Sequence, residues 1–250
     1  MDQMKTVEKK SALEGADPIA ESVAELLLLS DELARRSRKV MIKRCLDQLT
    51  MLIQQILTNL RLQVPPRGSQ SRFLNIGCGS DLMEGFLNID TLPRLGTWAR
   101  SAVQSWRRQG IYRIDLRVFD PQLEDFANGV LLHHVLEHLE PRQGLEGLRN
   151  VLRYLRSGGV LRLSVPSYGA YFSSFSLNNP QSYQCQNIAI NSLFYSWGHR
   201  HIYNASTLRD VLMHVGFQDV CEHRFSEGPM GEFDSMERQY ESIYMTGRKA

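Results

Sequence analysis

Several things are scarce in this 250-residue chain. It has only four cysteines (Cys45, Cys78, Cys185 and Cys221), widely scattered and without a C-x-x-C pair. That excludes a disulfide scaffold and a thiolate zinc site, and it fits a reducing setting. There is no charge excess of either sign: 29 basic and 27 acidic residues leave a net +2, so a dedicated nucleic-acid surface, which needs basic side chains gathered on one face, is not expected. Long apolar runs are missing too. The longest, Val23 to Leu29, is broken by Glu25 and falls far short of the roughly 20 residues of a membrane-spanning helix. The first residues do not follow the basic-then-apolar order of a secretory signal, and the expected location is cytoplasmic.

With 42% hydrophobic and 22% charged residues, the composition is that of a globular protein with a real core. Residues 1–17 are polar and aperiodic, which predicts a flexible tail. Residues 18–64 read as an N-terminal helical segment with a break near Ser37. Its apolar stripe, Ile42, Cys45, Leu46, Leu49, Leu52, Ile53, Ile56 and Leu60, has helical spacing and predicts one buried face, packed on the rest of the chain or on a second copy of it in a homodimer. Val64-Pro65-Pro66 stops the helix.

Residues 65–250 alternate short β-type runs with helical stretches. Strands are expected at Arg72–Ile76, Leu87–Ile89, Ile111–Ile114, Val130–Leu132, Val160–Val165, Gln218–His223 and Glu241–Thr246. Helices are expected at Gly96–Gln109, Val135–Leu139, Gln143–Leu155 and Ser206–Val215. Such alternation predicts an α/β fold with a mostly parallel sheet covered on both faces.

The chemistry-bearing residues fall at the carboxyl ends of these strands, where ligands bind in open α/β sheets. The first strand runs into Gly77-Cys78-Gly79. Glycines there give a tight turn and close approach to the main chain, although the same pair also describes an ordinary turn leaving a strand. Leu82 occupies the place of a third glycine, which disfavours a dinucleotide pyrophosphate cradle and the nucleotide-dependent oxidoreductase it would imply. The second strand ends on Asp90, a carboxylate able to accept two ribose hydroxyls. Only ten residues separate Gly79 from Asp90, too few for the usual crossover helix, so that helix is expected to be one turn or absent.

These motifs, LNIGCG (Leu74–Gly79), GFLNID (Gly85–Asp90), DLR (Asp115–Arg117), HVLEHL (His134–Leu139), the run from Leu155 through Gly158-Gly159 to Pro166, GHRHIY (Gly198–Tyr203) and Gly216-Phe217, together resemble the class I S-adenosylmethionine-dependent methyltransferases. The resemblance covers about Arg72 to Lys249, roughly three quarters of the chain. It implies a Rossmann-like seven-stranded sheet closed by an antiparallel C-terminal hairpin, with S-adenosylmethionine as cofactor. Asn75, Gly77, Cys78 and Gly79 would then lie under the methionine portion, Asp90 on the ribose, Asp115 and Leu116 beside the adenine, and His133 at the sulfonium end. Asn75 stands where relatives often carry an acid, shifting that contact toward backbone carbonyls. The acceptor implied is a small molecule or a saccharide.

If the acceptor is a hydroxyl, a histidine suits the removal of its proton near neutral pH. The candidates are His134, His199 and His201, with Tyr203 beside them. Each has an alternative use in capping a helix or fastening a loop to the core. Histidine and cysteine spacing predicts no metal site beyond the weak signal of a His199/His201 pair, and the remaining alternative for the whole chain is a non-catalytic binding or scaffolding module that keeps this fold.

Overall fold

The computed structural model describes residues 18–35, 38–60, 72–91, 110–173, 180–195 and 197–250. The expected tail, the helix at Gly96–Gln109, the break near Ser37 and the Val64-Pro65-Pro66 stop lie outside the described residues.

Seven strands form one sheet: β1 (Phe73–Ile76), β2 (Leu87–Asp90), β3 (Ile111–Arg113), β4 (Ala127–His133), β5 (Leu155–Pro166), β6 (Gln218–His223) and β7 (Ser242–Arg248). Their order is β3-β2-β1-β4-β5-β7-β6. The first five are mutually parallel, and β7 runs antiparallel to both of its neighbours. This is the expected Rossmann-like seven-stranded sheet with its antiparallel C-terminal hairpin, and every expected strand is present within a few residues of its expected place.

Around the sheet lie α1 (Pro18–Arg35), α2 (Arg38–Asn59), α3 (Pro141–Tyr154), α4 (Tyr168–Ser173), α5 (Pro180–Tyr195) and α6 (Ala205–Val215). The sequence states the ends of α6 plainly. Asn204 accepts the Thr207 N–H at 2.8 Å as the N-cap, and Gly216, at φ 111°, closes the helix in the left-handed conformation. The expected helix at Val135–Leu139 is only a 3-10 turn, Leu136–His138, because His134 at φ 52° bends the chain sharply where β4 ends.

Strand alternation sorts the two faces. Leu74, Ile76, Leu87, Ile89, Val130, Leu132, Leu161, Leu163 and Met245 point into a dry core with α3 and α6. Helix α1 joins that core through buried Val23 and through Leu26 and Leu27, which pack against it. The opposite face carries Asn75, Asn88, Gly129, Arg162 and Thr246. Among the described residues its cover is the β6–β7 connection: a Cβ on Gly129 would stand 2.6 Å from Met230 Sδ, and buried Arg162 pairs with Asp234.

Of the two packings expected for the stripe of α2, the one on the rest of the chain is not seen among the described residues. The inward ridge of the helix is Thr50, Gln54 and Thr58, all buried, with Gln54 Nε2 donating to the Arg113 carbonyl of edge strand β3 at 2.9 Å. The apolar stripe through Leu46, Leu49, Leu52, Ile53, Ile56 and Leu60 is therefore at the surface. A sheet edge offers unpaired carbonyls, and an amide side chain at helical i, i+4 spacing satisfies one where a leucine would leave it orphaned.

Candidate active site

The β1–β2 connection contains no helix. Gly77 N and Cys78 N both donate to the Ile89 carbonyl, at 2.8 and 3.0 Å. Two side-chain amides hold the rest. Asn75 Nδ2 donates to the Asp81 carbonyl at 2.9 Å and to Asn88 Oδ1 at 3.0 Å, while Asn88 exchanges hydrogen bonds with the Met83 backbone N–H and carbonyl at 2.9 and 3.0 Å. Asn75 thus braces the turn, a task a carboxylate could not perform as donor. Beside this connection a cleft of about 340 Å³ opens between Asp81–Phe86 and Glu232–Ser235.

Gly77 (φ 74°) and Gly79 (φ 52°) adopt left-handed backbone angles, for different reasons. A Cβ on Gly77 would stand 2.2 Å from Val135 Cγ2, so the β1 turn and the turn after β4 close on each other there. At Gly79 nothing lies within 4 Å of that position, which leaves room for a ligand over the main chain. Cys78, between them, is buried.

Asp90, one quarter exposed at its side chain, lies 4.0 Å from Arg113 and accepts the Thr91 N–H at 2.8 Å. Asp115 is held differently. Burial alone would raise its pKa, but Arg117 Nε and Nη2 bind it bidentately at 2.8 and 2.7 Å and bring it below the usual carboxylate range. The Leu116 side chain turns into the core, where a Cβ on Gly147 of α3 would meet it at 2.8 Å. Asp115 and Leu116 therefore lock the turn after β3, and neither side chain is presented to a ligand. His133 is neutral: burial, opposed by Asp234 and aided by His134 and Arg162, pushes its pKa down to about 4.

The four catalytic candidates separate into two groups. His134 and His199 converge on Glu137, with His134 Nδ1 3.3 Å and His199 Nε2 4.0 Å from Glu137 Oε1. The loop that carries His199 is pinned there, since the Glu137 carbonyl accepts the N–H groups of Arg200 and His201 at 2.7 and 3.2 Å. His201 and Tyr203 instead stack on each other edge-on at 4.5 Å, with Tyr203 in the core. Burial holds the Tyr203 hydroxyl firmly protonated and lowers the His201 pKa. Tyr203 is a core residue and not a base at the mouth of the sheet.

Sequence reasoning did not single out Glu137 as a site residue, nor Ser242, whose Oγ lies 2.8 Å from His134 Nε2. The His134-x-x-Glu137-His138 spacing is the signal that could have found the first: on one tight turn, residues three and four apart share a face. Tyr168 is exposed, and Tyr171 donates to Glu241 Oε2 at 2.6 Å.

No family model and no curated protein matches this chain. Among solved structures it is similar to a SAM-dependent methyltransferase from Archaeoglobus fulgidus, with 15% identity over 85% of this chain and 100% of that one and a TM-score of 0.44. It is also similar to an S-adenosylmethionine-dependent methyltransferase from Mesorhizobium loti, with 17% identity over 76% of this chain and 96% of that one and a TM-score of 0.46. No helix among the described residues is long and apolar enough to cross a membrane.

Proposed function

We propose that this chain is an enzyme that transfers a methyl group from S-adenosylmethionine to a hydroxyl of a small or saccharide-type acceptor. The observation that carries the reading is the left-handed Gly77-Cys78-Gly79 turn at the carboxyl end of β1, open above Gly79 and set against the histidine-bearing turn after β4. The cofactor's methionine portion would lie over Gly79, and its ribose hydroxyls would meet the Asp90 carboxylate. The adenine would rest against backbone at Asp115 and Leu116, because their side chains are engaged elsewhere.

Methyl transfer is an in-line displacement: the acceptor oxygen forms a bond to the methyl carbon as the carbon–sulfur bond breaks, and the hydroxyl proton leaves to a base. The protein's main contribution is alignment. His134 or His199 would take that proton. Exposed Tyr168 and Trp197 supply flat faces suited to a sugar ring or an aromatic acceptor. Trp197 lies under Arg238, itself paired with Glu241 at 2.6 Å.

Titration calorimetry with S-adenosylmethionine and its demethylated product tests the first half. Micromolar binding of either, weakened in Asp90→Ala, is expected, and no binding at millimolar concentration overturns the reading. Turnover on a panel of sugars and phenols, followed by mass spectrometry, tests the acceptor.

A further inference from the structure

Glu137 has a fully buried side chain, and among the described residues neither of its carboxylate oxygens accepts a hydrogen bond. A buried carboxylate needs a cationic or hydrogen-bonding partner. Arg238 and Tyr203 interact with it electrostatically, and the groups that face it at close range are imidazoles from two elements. His134 Nδ1, His138 Nε2 and His199 Nε2 lie 3.3, 3.9 and 4.0 Å from Oε1.

The tautomer at His199 indicates what these imidazoles offer. Its Nδ1 is 2.5 Å from the Leu193 carbonyl, which can only accept, so Nδ1 carries the proton. Its Nε2 is the nitrogen turned toward the carboxylate. An imidazole that donates one nitrogen to a backbone carbonyl while aiming the other at a common centre is the usual arrangement of a metal-bound histidine. The ligating atoms of Glu137, His138 and His199 all lie within 4.8 Å of one another. Around a tetrahedral ion with bonds of roughly 2.0–2.1 Å, ligand atoms stand about 3.3 Å apart, so the separations must close by about 0.6 to 1.5 Å as the ion binds.

We propose that Glu137, His138 and His199 bind a divalent first-row transition ion, with zinc as the best match to two imidazoles and one carboxylate. Sequence spacing predicted no such site, because His199 lies far along the chain and reaches Glu137 only through the loop pinned on the Glu137 carbonyl. The His138 side chain is 37% exposed, so a fourth position opens on that side, and three protein ligands with an open position is the pattern of reactive rather than structural zinc. An ion there would lower the pKa of an acceptor hydroxyl, a role that rests on the methyl-transfer reading. Ion binding itself does not rest on it.

The full-length protein, stripped by chelator and dialysed, is titrated with cobalt(II) chloride and then zinc chloride, without cofactor. One cobalt per chain with visible ligand-field bands, displaced by zinc, is the expected result, together with a higher Tm. Glu137→Gln, His138→Gln and His199→Ala should each weaken binding about tenfold or more, and His214→Gln, at an exposed site, should not. If Glu137→Gln fails to fold, the half-exposed His138 variant carries the test. Absence of stoichiometric cobalt or zinc, or unchanged binding in the His138 and His199 variants, overturns the site and leaves Glu137 paired with an imidazolium alone. Because the assay contains no S-adenosylmethionine, its failure is separate from failure of the methyl-transfer reading.

Discussion

Arg162 of β5 and Asp234 of the β6–β7 connection form a fully buried bidentate ion pair, with Nε to Oδ1 at 3.0 Å and Nη2 to Oδ2 at 2.5 Å. The guanidinium also donates to the Glu227 carbonyl at 2.8 Å, and the carboxylate accepts the Ser226 N–H at 2.9 Å. One charged pair therefore fastens a segment with few apolar anchors across the sheet face opposite α3 and α6. A buried charge without its partner is far more costly than no charge, so Asp234→Ala should lose about 3–5 kcal/mol of unfolding free energy. The double variant Arg162→Met, Asp234→Leu should recover most of that loss. Urea unfolding of the three proteins measures it, and equal losses in the single and double variants would show that the pair itself is not what holds the connection.

The two glycines of the β1 turn should respond differently to substitution. Gly77→Ala drives a methyl into Val135 at a left-handed residue and should reduce stability sharply, with Val135→Ala giving partial relief. At Gly79 a Cβ meets no atom of the described residues within 4 Å. Gly79→Val should cost about 1–3 kcal/mol of backbone strain while abolishing S-adenosylmethionine binding. Thermal unfolding and calorimetry on the same samples separate the two effects, and wild-type cofactor affinity in Gly79→Val would remove the turn from the cofactor site.

Much of this could be read from the residues. The strands were legible because each is a short β-branched or leucine-rich run ended by glycine, proline or a polar residue, and the β1–β2 count alone predicted that no full helix fits. The faces were less legible. Alternation places Arg162 on the side opposite Leu161 and Leu163, but nothing local says that this side is buried by a segment more than sixty residues away. Helix α5 escaped notice because Pro180–Tyr195 has no regular apolar stripe. The stripe of α2 shows a related limit: periodicity shows that a helix has two faces, whereas the edge strand's need for a donor decided which one docked on this chain. At the site, histidines were visible as residue types, yet their sorting into a Glu137 group and a Tyr203 group depends on loop closure.

The amides that replace the first helix invite a direct test. Asn88 satisfies the Met83 N–H and carbonyl and receives Asn75. Asn88→Leu leaves these buried or half-buried groups unpaired and should cost about 1–3 kcal/mol. Asn88→Asp keeps the acceptor and loses the donor, and should fall between. Cofactor affinity should decline in the same order, since the connection includes Gly79. Stability by chemical denaturation, with affinity by calorimetry, checks both, and a tolerated leucine would mean that backbone bonds to Ile89 suffice.

His133 makes stability depend on pH in a window that can be stated. Its pKa falls from the usual 6.5 to about 4 in the folded protein, chiefly through burial. Between those values the unfolded chain binds the extra proton, so stability rises with pH there. The contribution of about 3 kcal/mol is complete above about pH 6.5 and is lost as the pH falls toward 4. His133→Gln removes the titrating group, and from pH 7 to 4.5 the wild-type protein should lose about 2–3 kcal/mol more than this variant. Urea melts at the two pH values give the difference. Parallel losses in both proteins would place the His133 proton elsewhere and would mean that the ring, 3.7 Å from Asp234, is charged in the folded state.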